Sequence, residues 1–190
     1  VPTHHGVPSC GYHFESNGGA GKFDIERANE LGLSKGQISQ LAQGLDITTE
    51  DKSLSADSFR DEPRPGFSLM VSGDTAHGPM GFDAENLPTT PQLLLHEATF
   101  SDEKQEKATQ YYHSTAADAA RHATSCKASA LALTHYSSRF ESVSPLISEA
   151  REHFSGSVAA TMDGDWFGID GDGNVSHHVR VESGWNTMNL

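Results

Sequence analysis

Three side chains of metal-binding type stand beside apolar runs: His5 ahead of Val7-Pro8-Ser9, Asp74 within Ser72-Gly73-Asp74-Thr75, and His135 within Thr134-His135-Tyr136-Ser137. An apolar run of strand length that stops at polar residues reads as a buried strand entering a loop, which puts the three at one rim of a sheet. Imidazole suits zinc and a carboxylate can bridge two cations, so the trio is a candidate site for a divalent metal. Two further segments, His96-Glu97-Ala98-Thr99 and His113-Ser114-Thr115, bring a carboxylate and an imidazole to the same rim. A glutamate bonded to a histidine fixes its tautomer and holds a proton donor in place, which makes Glu97 and His113 the candidate catalytic pair. Each residue alone has an ordinary explanation. A strand-end Asp after Gly is commonly a turn residue, a lone strand-end His is more often structural, and His113 simply precedes a helix cap. No segment of the H-x-H-x-D-H kind occurs, and three ligands do not fill two metal sites. The chain therefore reads as part of a binuclear metallohydrolase.

The elements that must position these groups alternate strand and helix. Residues 5–15 alternate towards a strand with Val7, Tyr12 and Phe14 facing inward, and Ser16 to Gly21 is a glycine-rich breaker. From Lys22 to Glu62 the texture changes. Asp24 can cap a short helix with Ile25, Ala28 and Leu31 on one face and Gly32 at its end; Ser34 can start a second with Ile38 and Leu41 inward, stopped at Gly44. Residues 45–48 suit a brief strand. This stretch carries too few large apolar residues to predict a core of its own, and reads as a protruding arm hinged at Gly18-Gly19 and Pro63-Arg64-Pro65-Gly66. Beyond it, residues 67–71, 92–95 and 130–134 are apolar runs of strand length. A charged helix is expected over 102–111, and an alanine-rich helix through His122 capped at Ser114 or Thr115, with Asp118 completing a capping box. Ser144 as cap and Pro145 at the first position open a helix through Phe154. Strands over 158–161 and 166–169 follow, with residues 170–174 turning a hairpin. Such alternation implies an α/β layered sandwich.

Composition narrows the function. At 190 residues the chain can bury one core with an appendage. Its formal net charge of −13 repels phosphate, so nucleic-acid binding needs a local basic patch or metal ions. Cys10 and Cys126 are too few for a disulfide framework and suit a reducing cytoplasm. No run approaches a membrane-spanning length. Val1, not Met, opens the chain, which fits a truncated chain, a processed chain or an incomplete reading frame; nothing near the start reads as a basic-then-apolar leader.

Taken in order, His5 with Pro8-Ser9-Cys10-Gly11-Tyr12, Gly21-Lys22-Phe23-Asp24, Ser72-Gly73-Asp74-Thr75, His96-Glu97-Ala98-Thr99-Phe100, His113-Ser114-Thr115-Ala116 and Thr134 to Phe140 resemble the ribonuclease Z family of the metallo-β-lactamase superfamily. The resemblance runs from His5 to about Phe154. It implies the C-terminal part of a metallo-β-lactamase αββα sandwich with an inserted flexible arm: core strands in 1–20, an exosite arm over 21–62, and the core's C-terminal half over 63–190. It implies that His5 and His135 each ligate one zinc, that Asp74 bridges two Zn2+ per complete site, and that His113, oriented by Glu97, protonates the leaving 3′-oxygen. The implied reaction removes the 3′ trailer from precursor tRNA, in a cytoplasmic homodimer. The arm, with Lys22, Arg27, Lys35 and Lys52, would grip the tRNA. The departures are the absent H-x-H-x-D-H half and Gly36-Gln37 where a Gly-Pro is usual. The tail over 171–190 lies outside the resemblance; its His177-His178 reads as an exposed strand pair and residues 170–174 as a turn without the glycine and glutamate of a calcium loop. His77 follows Asp74 closely without matching a ligand position. Two rival readings are a small-diester phosphodiesterase of the same fold and a non-catalytic half that binds RNA or a partner chain.

Overall fold

A computed structural model describes residues 1–78 and 81–190. In chain order its elements are β1 (Tyr12–Glu15), α1 (Ile25–Glu30), α2 (Lys35–Ala42), β2 (Ile47–Thr48), β3 (Ser53–Leu54), β4 (Ser68–Val71) and β5 (Leu93–Glu97). There follow α3 (Gln105–Gln110), α4 (Ala116–Ser125), β6 (Ala130–Thr134), α5 (Ser144–His153), β7 (Ser157–Ala160), β8 (Trp166–Ile169), β9 (Val175–Val181) and β10 (Gly184–Asn189). The chain folds as two compact units, Val1–Ser16 with Phe67–Leu190, and Asn17–Gly66.

The larger unit is built on a five-stranded sheet in the order β1-β4-β5-β6-β7. Strands β4 to β7 are parallel and β1 is antiparallel to β4. Parallel neighbours need crossover connections, and α4 and α5 supply them between β5, β6 and β7. One face of the sheet presents Met70, Leu94, Leu131, Leu133 and Val158, which pack on Ala119, Ala120 and Ala123 of α4 and Leu146 and Ala150 of α5. Alanine is the right size here because it lets a helix sit close to the sheet while losing little side-chain entropy. The opposite face, with Leu93, Ala130 and Ala132, is covered by Val175, Phe167 and Ile169 of the three-stranded sheet β10-β9-β8. The layers are thus helix, sheet and sheet: a mixed α/β fold.

Helix ends follow local chemistry, with exceptions. Thr115 and Asp118 form the reciprocal capping box that opens α4. At α5 the cap position is Val143, not Ser144; Ser144 is the first helical residue and Pro145 follows inside the first turn. The charged segment after Asp102 is a 3-10 turn at Asp102–Lys104 followed by α3, not one helix. Tyr12 and Phe14 are exposed, as is Val7, because β1 borders the sheet and no described residue covers the face they share. The tail is not a loose appendage. His177 is buried, stacked on Phe167 and bonded to Asp165 at 2.9 Å, which corrects the expectation of an exposed histidine pair; His178 stacks on Trp166.

The smaller unit departs furthest from expectation. It has a core: Ala28, Leu41, Ile47, Ala56 and Phe59 are buried together. Ile25 and Leu31, expected to share Ala28's face, are exposed. The missing apolar volume comes from a 3-10 turn at Ala56–Phe59, a segment too short for periodicity to reveal. The Arg27 guanidinium lies over the Phe59 ring at 5.0 Å and donates to the Ser58 carbonyl. Arg60 likewise donates to the carbonyls of Gly21 and Ala42.

Candidate active site

In open parallel sheets, ligand groups gather where the strands end at their carboxyl termini. Here Asp74 follows β4, Glu97 is the last residue of β5, and His135 directly follows β6. Glu97 pairs in register with Thr134, so the ends of β5 and β6 are level. β1 runs antiparallel, so its entry lies at that same rim, and the loop before it carries His5. That loop is tied down at three points: the His4 amide donates to Thr75 Oγ1, the Ala76 amide donates to the His4 carbonyl, and Ser9 Oγ donates to the Asp74 carbonyl. Gly73, with φ +62°, makes the turn that delivers Asp74; a Cβ there would lie 3.0 Å from the Cys10 carbonyl oxygen. His113 reaches the rim because Phe100 and Thr115 form a bridge that seats the cap of α4, while Ser114 Oγ donates to the Thr75 carbonyl.

Asp74 stands between two imidazoles. Its Oδ2 lies 4.0 Å from His5 Nε2 and its Oδ1 lies 3.7 Å from His135 Nδ1. His5, Asp74 and His113 each offer a ligand atom within 4.8 Å of the others, as do Glu97, His113 and His135. Imidazole nitrogens and carboxylate oxygens in such a set suit zinc, so the donor chemistry fits the metal that the resemblance implies. All the residues singled out in the sequence, His5, Asp74, Glu97, His113 and His135, therefore meet at one rim. The distances place His113 within ligand range as well as beside Glu97. His77 lies apart, 3.6 Å from Asp118 and stacked on His122.

Glu97 is the buried anchor of the group, 1% exposed. A buried carboxylate is tolerated only when donors surround it. Its Oε1 accepts from the Thr75 amide at 2.8 Å and from His113 Nδ1 at 2.8 Å; its Oε2 accepts from Thr99 Oγ1 at 2.6 Å and from the Thr99 amide at 3.3 Å. Because a carboxylate only accepts, His113 Nδ1 carries the hydrogen and Nε2 faces outward with the lone pair. The same logic fixes His5, whose Nδ1 lies 2.7 Å from the Tyr112 carbonyl oxygen and must donate to it. Thr75, Thr99 and Tyr112 act here through backbone or hydroxyl groups, and nothing in residue type or spacing marks them in advance.

A second imidazole group lies deeper. His96 Nδ1 donates to the Glu97 carbonyl at 2.7 Å, so its Nε2 accepts from His122 Nδ1 at 2.8 Å. Phe82 stacks on His122 with ring centres 4.4 Å apart. Burial lowers the His96 pKa; it pushes that of His122 down to about 2, with the neighbouring His96 and His77 adding to the effect.

No protein-family model matches the chain. It is similar to the ribonuclease Z of Myxococcus xanthus, 37% identical over 167 residues that make up 86% of this chain and 53% of that protein. The ribonuclease Z of Haloferax volcanii is 38% identical over 165 residues, 85% of this chain and 51% of its own length. That of Bacillus licheniformis is 36% identical over 160 residues, 82% and 51% respectively. A solved metallo-beta-lactamase fold protein, YhfI from Bacillus subtilis, aligns with 52% of this chain and 38% of its own at 26% identity and a TM-score of 0.46, too partial to bear on the fold. The chain spans about half the length of the curated relatives it matches. Over that span, the chain is similar in sequence to the ribonuclease Z of several species.

Proposed function

We propose that this chain is the C-terminal part, with its inserted arm, of a zinc-dependent endoribonuclease that removes the 3′ trailer from precursor tRNA. One observation carries the reading: the Asp74 carboxylate stands between two imidazoles, with Oδ2 4.0 Å from His5 Nε2 and Oδ1 3.7 Å from His135 Nδ1, so donors suited to zinc surround one carboxylate. Sequence identity to ribonuclease Z over most of the chain supports the substrate class. His5, Asp74 and His135 would hold zinc, two ions per complete site, with further ligands from the portion the relatives have outside the match. Zinc bound there supplies Lewis-acid activation of a phosphodiester and neutralises its charge. The protein's own groups do the rest. Glu97 Oε1 holds the Nδ1 hydrogen of His113, leaving Nε2 as the nitrogen that passes a proton to the departing 3′-oxygen. The unit Asn17–Gly66 is the exosite arm of a cytoplasmic homodimer. Its RNA contacts fall to Lys22, Lys35 and Lys52, since Arg27 is engaged by Phe59 and the Ser58 carbonyl.

The half-length match favours a second reading, a non-catalytic half that pairs with another chain. Zinc stoichiometry and two substrates separate the possibilities. Cleavage of precursor tRNA with about two zincs per chain supports the endoribonuclease. A nitrophenyl phosphodiester cut without precursor tRNA points to a small-diester phosphodiesterase, and neither activity with little zinc points to the binding half.

A further inference from the structure

Thr99 lies between the Glu97–His113 pair and His135. Its Oγ1 lies 2.6 Å from Glu97 Oε2, 2.9 Å from His135 Nδ1, 3.1 Å from the His135 carbonyl oxygen and 3.3 Å from His113 Nδ1. A hydroxyl has one proton to give. Three acceptors compete for it: a carboxylate oxygen, a carbonyl oxygen and a ring nitrogen. The carboxylate is charged, buried and nearest, and charge-assisted O–H···O⁻ bonds of about 2.5–2.7 Å are the strong ones. The proton therefore goes to Glu97. With its hydrogen spent, Oγ1 can meet His135 Nδ1 only as an acceptor, so Nδ1 must carry the ring hydrogen and Nε2 keeps the lone pair.

We infer that Thr99 is a positioning residue, which fixes the Nδ1–H tautomer of His135 and couples that ring to the Glu97–His113 pair. The three rim imidazoles then share one arrangement. His5 is tethered through Nδ1 to the Tyr112 carbonyl, His113 to Glu97 and His135 to Thr99, and each keeps its Nε2 lone pair. The need is greatest at His135. Its side chain is 50% exposed and its backbone sits at φ +56°, so neither burial nor a strand holds the ring. Thr99 also locks the carboxylate rotamer, because the same hydroxyl and its own amide grip Oε2 while Thr75 and His113 grip Oε1. The tautomer follows from the metal-free geometry; its purpose, presenting Nε2 to zinc, rests on the function proposed above.

The test uses the whole chain, free of metal, with the histidine rings followed by long-range proton–nitrogen NMR at a pH where they are neutral. Wild type and Thr99→Ser are expected to show His135 as the Nδ1–H tautomer, and Thr99→Val to shift it towards Nε2–H, the form free imidazole side chains favour. Zinc titrated into the three proteins should bind at least tenfold more weakly to Thr99→Val, the size of loss typical when an outer partner of a metal-binding histidine is removed, and Thr99→Ser should restore it. An Nε2–H tautomer in the wild type overturns the inference, whether or not Thr99→Val folds. So does a Thr99→Val protein with unchanged tautomer, or with zinc affinity equal to or above that of the wild type. A wild-type chain that binds no zinc, yet shows Nδ1–H at His135, refutes the metal reading and leaves the tautomer assignment standing.

Discussion

Two groups of imidazoles flank the end of β5, one at the rim and one beneath it, and their surroundings are opposite in kind. At the rim, His5, His113 and His135 each spend Nδ1 on an oxygen acceptor and gather around Asp74 and Glu97. One step inward, His96 and His122 bond to each other and to a backbone carbonyl, pack against Phe82 and, among the described residues, face no carboxylate within hydrogen-bond distance. Residue type is the same; surroundings differ. Carboxylates and access to solvent suit the rim to the cation binding and proton transfer proposed above, whereas burial favours the neutral form of the inner pair. The strand end decides which is which: His96 is the penultimate residue of β5 and points into the layer beneath α4, while Glu97, one residue on, points to the rim.

The largest effect expected from breaking this contrast is at the rim. In an assembly that cleaves precursor tRNA, His113→Ala should lower the single-turnover rate by about 10²–10⁴, the range for loss of a general acid, while zinc content stays unchanged. Because His113 also lies within ligand range, loss of zinc along with rate would reassign it as a ligand.

Next in size is the pH response of the inner pair. The His122 pKa is depressed in the folded chain to about 2, below its unfolded value of about 6.5. Between these values the unfolded chain binds the extra proton, so stability is full above about pH 6.5 and falls as the pH drops below it. Denaturant titrations at pH 7 and pH 5 should differ by about 2 kcal/mol from His122, and His96, shifted the same way, adds to the loss. His122→Phe, which keeps the stack on Phe82, should flatten this slope. It should also cost about 1–3 kcal/mol at pH 7 by leaving His96 Nε2 without its donor. An unflattened slope would mean that another group governs the acid response.

The smallest expected effect concerns the scaffold that seats His113. Thr115→Ala removes the cap that opens α4 and should lower stability by about 1 kcal/mol, read from the shift of the denaturation midpoint. Glu97 contacts to His113 should survive it; a rate loss as large as that of His113→Ala would show that the cap, not the carboxylate, sets the ring.

How much of this was legible in the sequence depends on the range of the interactions. The parallel strands β4, β5 and β6 are short apolar runs that end in His, Asp or Glu, and strand ends project to a common rim, so the meeting of five side chains could be read from pattern. The capping box of α4 is a four-residue signal and was equally plain. What escaped depends on contacts that no local pattern encodes. Phe59 completes the core of Asn17–Gly66 from a 3-10 turn of four residues. Tyr12 and Phe14 alternate like buried residues but lie on the bordering strand. His177 is buried because β9 returns over the sheet, with Asp165 from a separate loop as its partner. Thr99 and the Tyr112 carbonyl hold rings that are 36 and 107 residues away in sequence.

The account rests on Asp74 as the group that joins His5 and His135 around a cation. Zinc titrated calorimetrically into the metal-free chain, beside Asp74→Asn, tests it most directly. The geometry predicts saturable binding that shifts the ring signals of both histidines and weakens at least tenfold in the variant. Equal affinity in the two proteins, or zinc that binds without moving those signals, would contradict it.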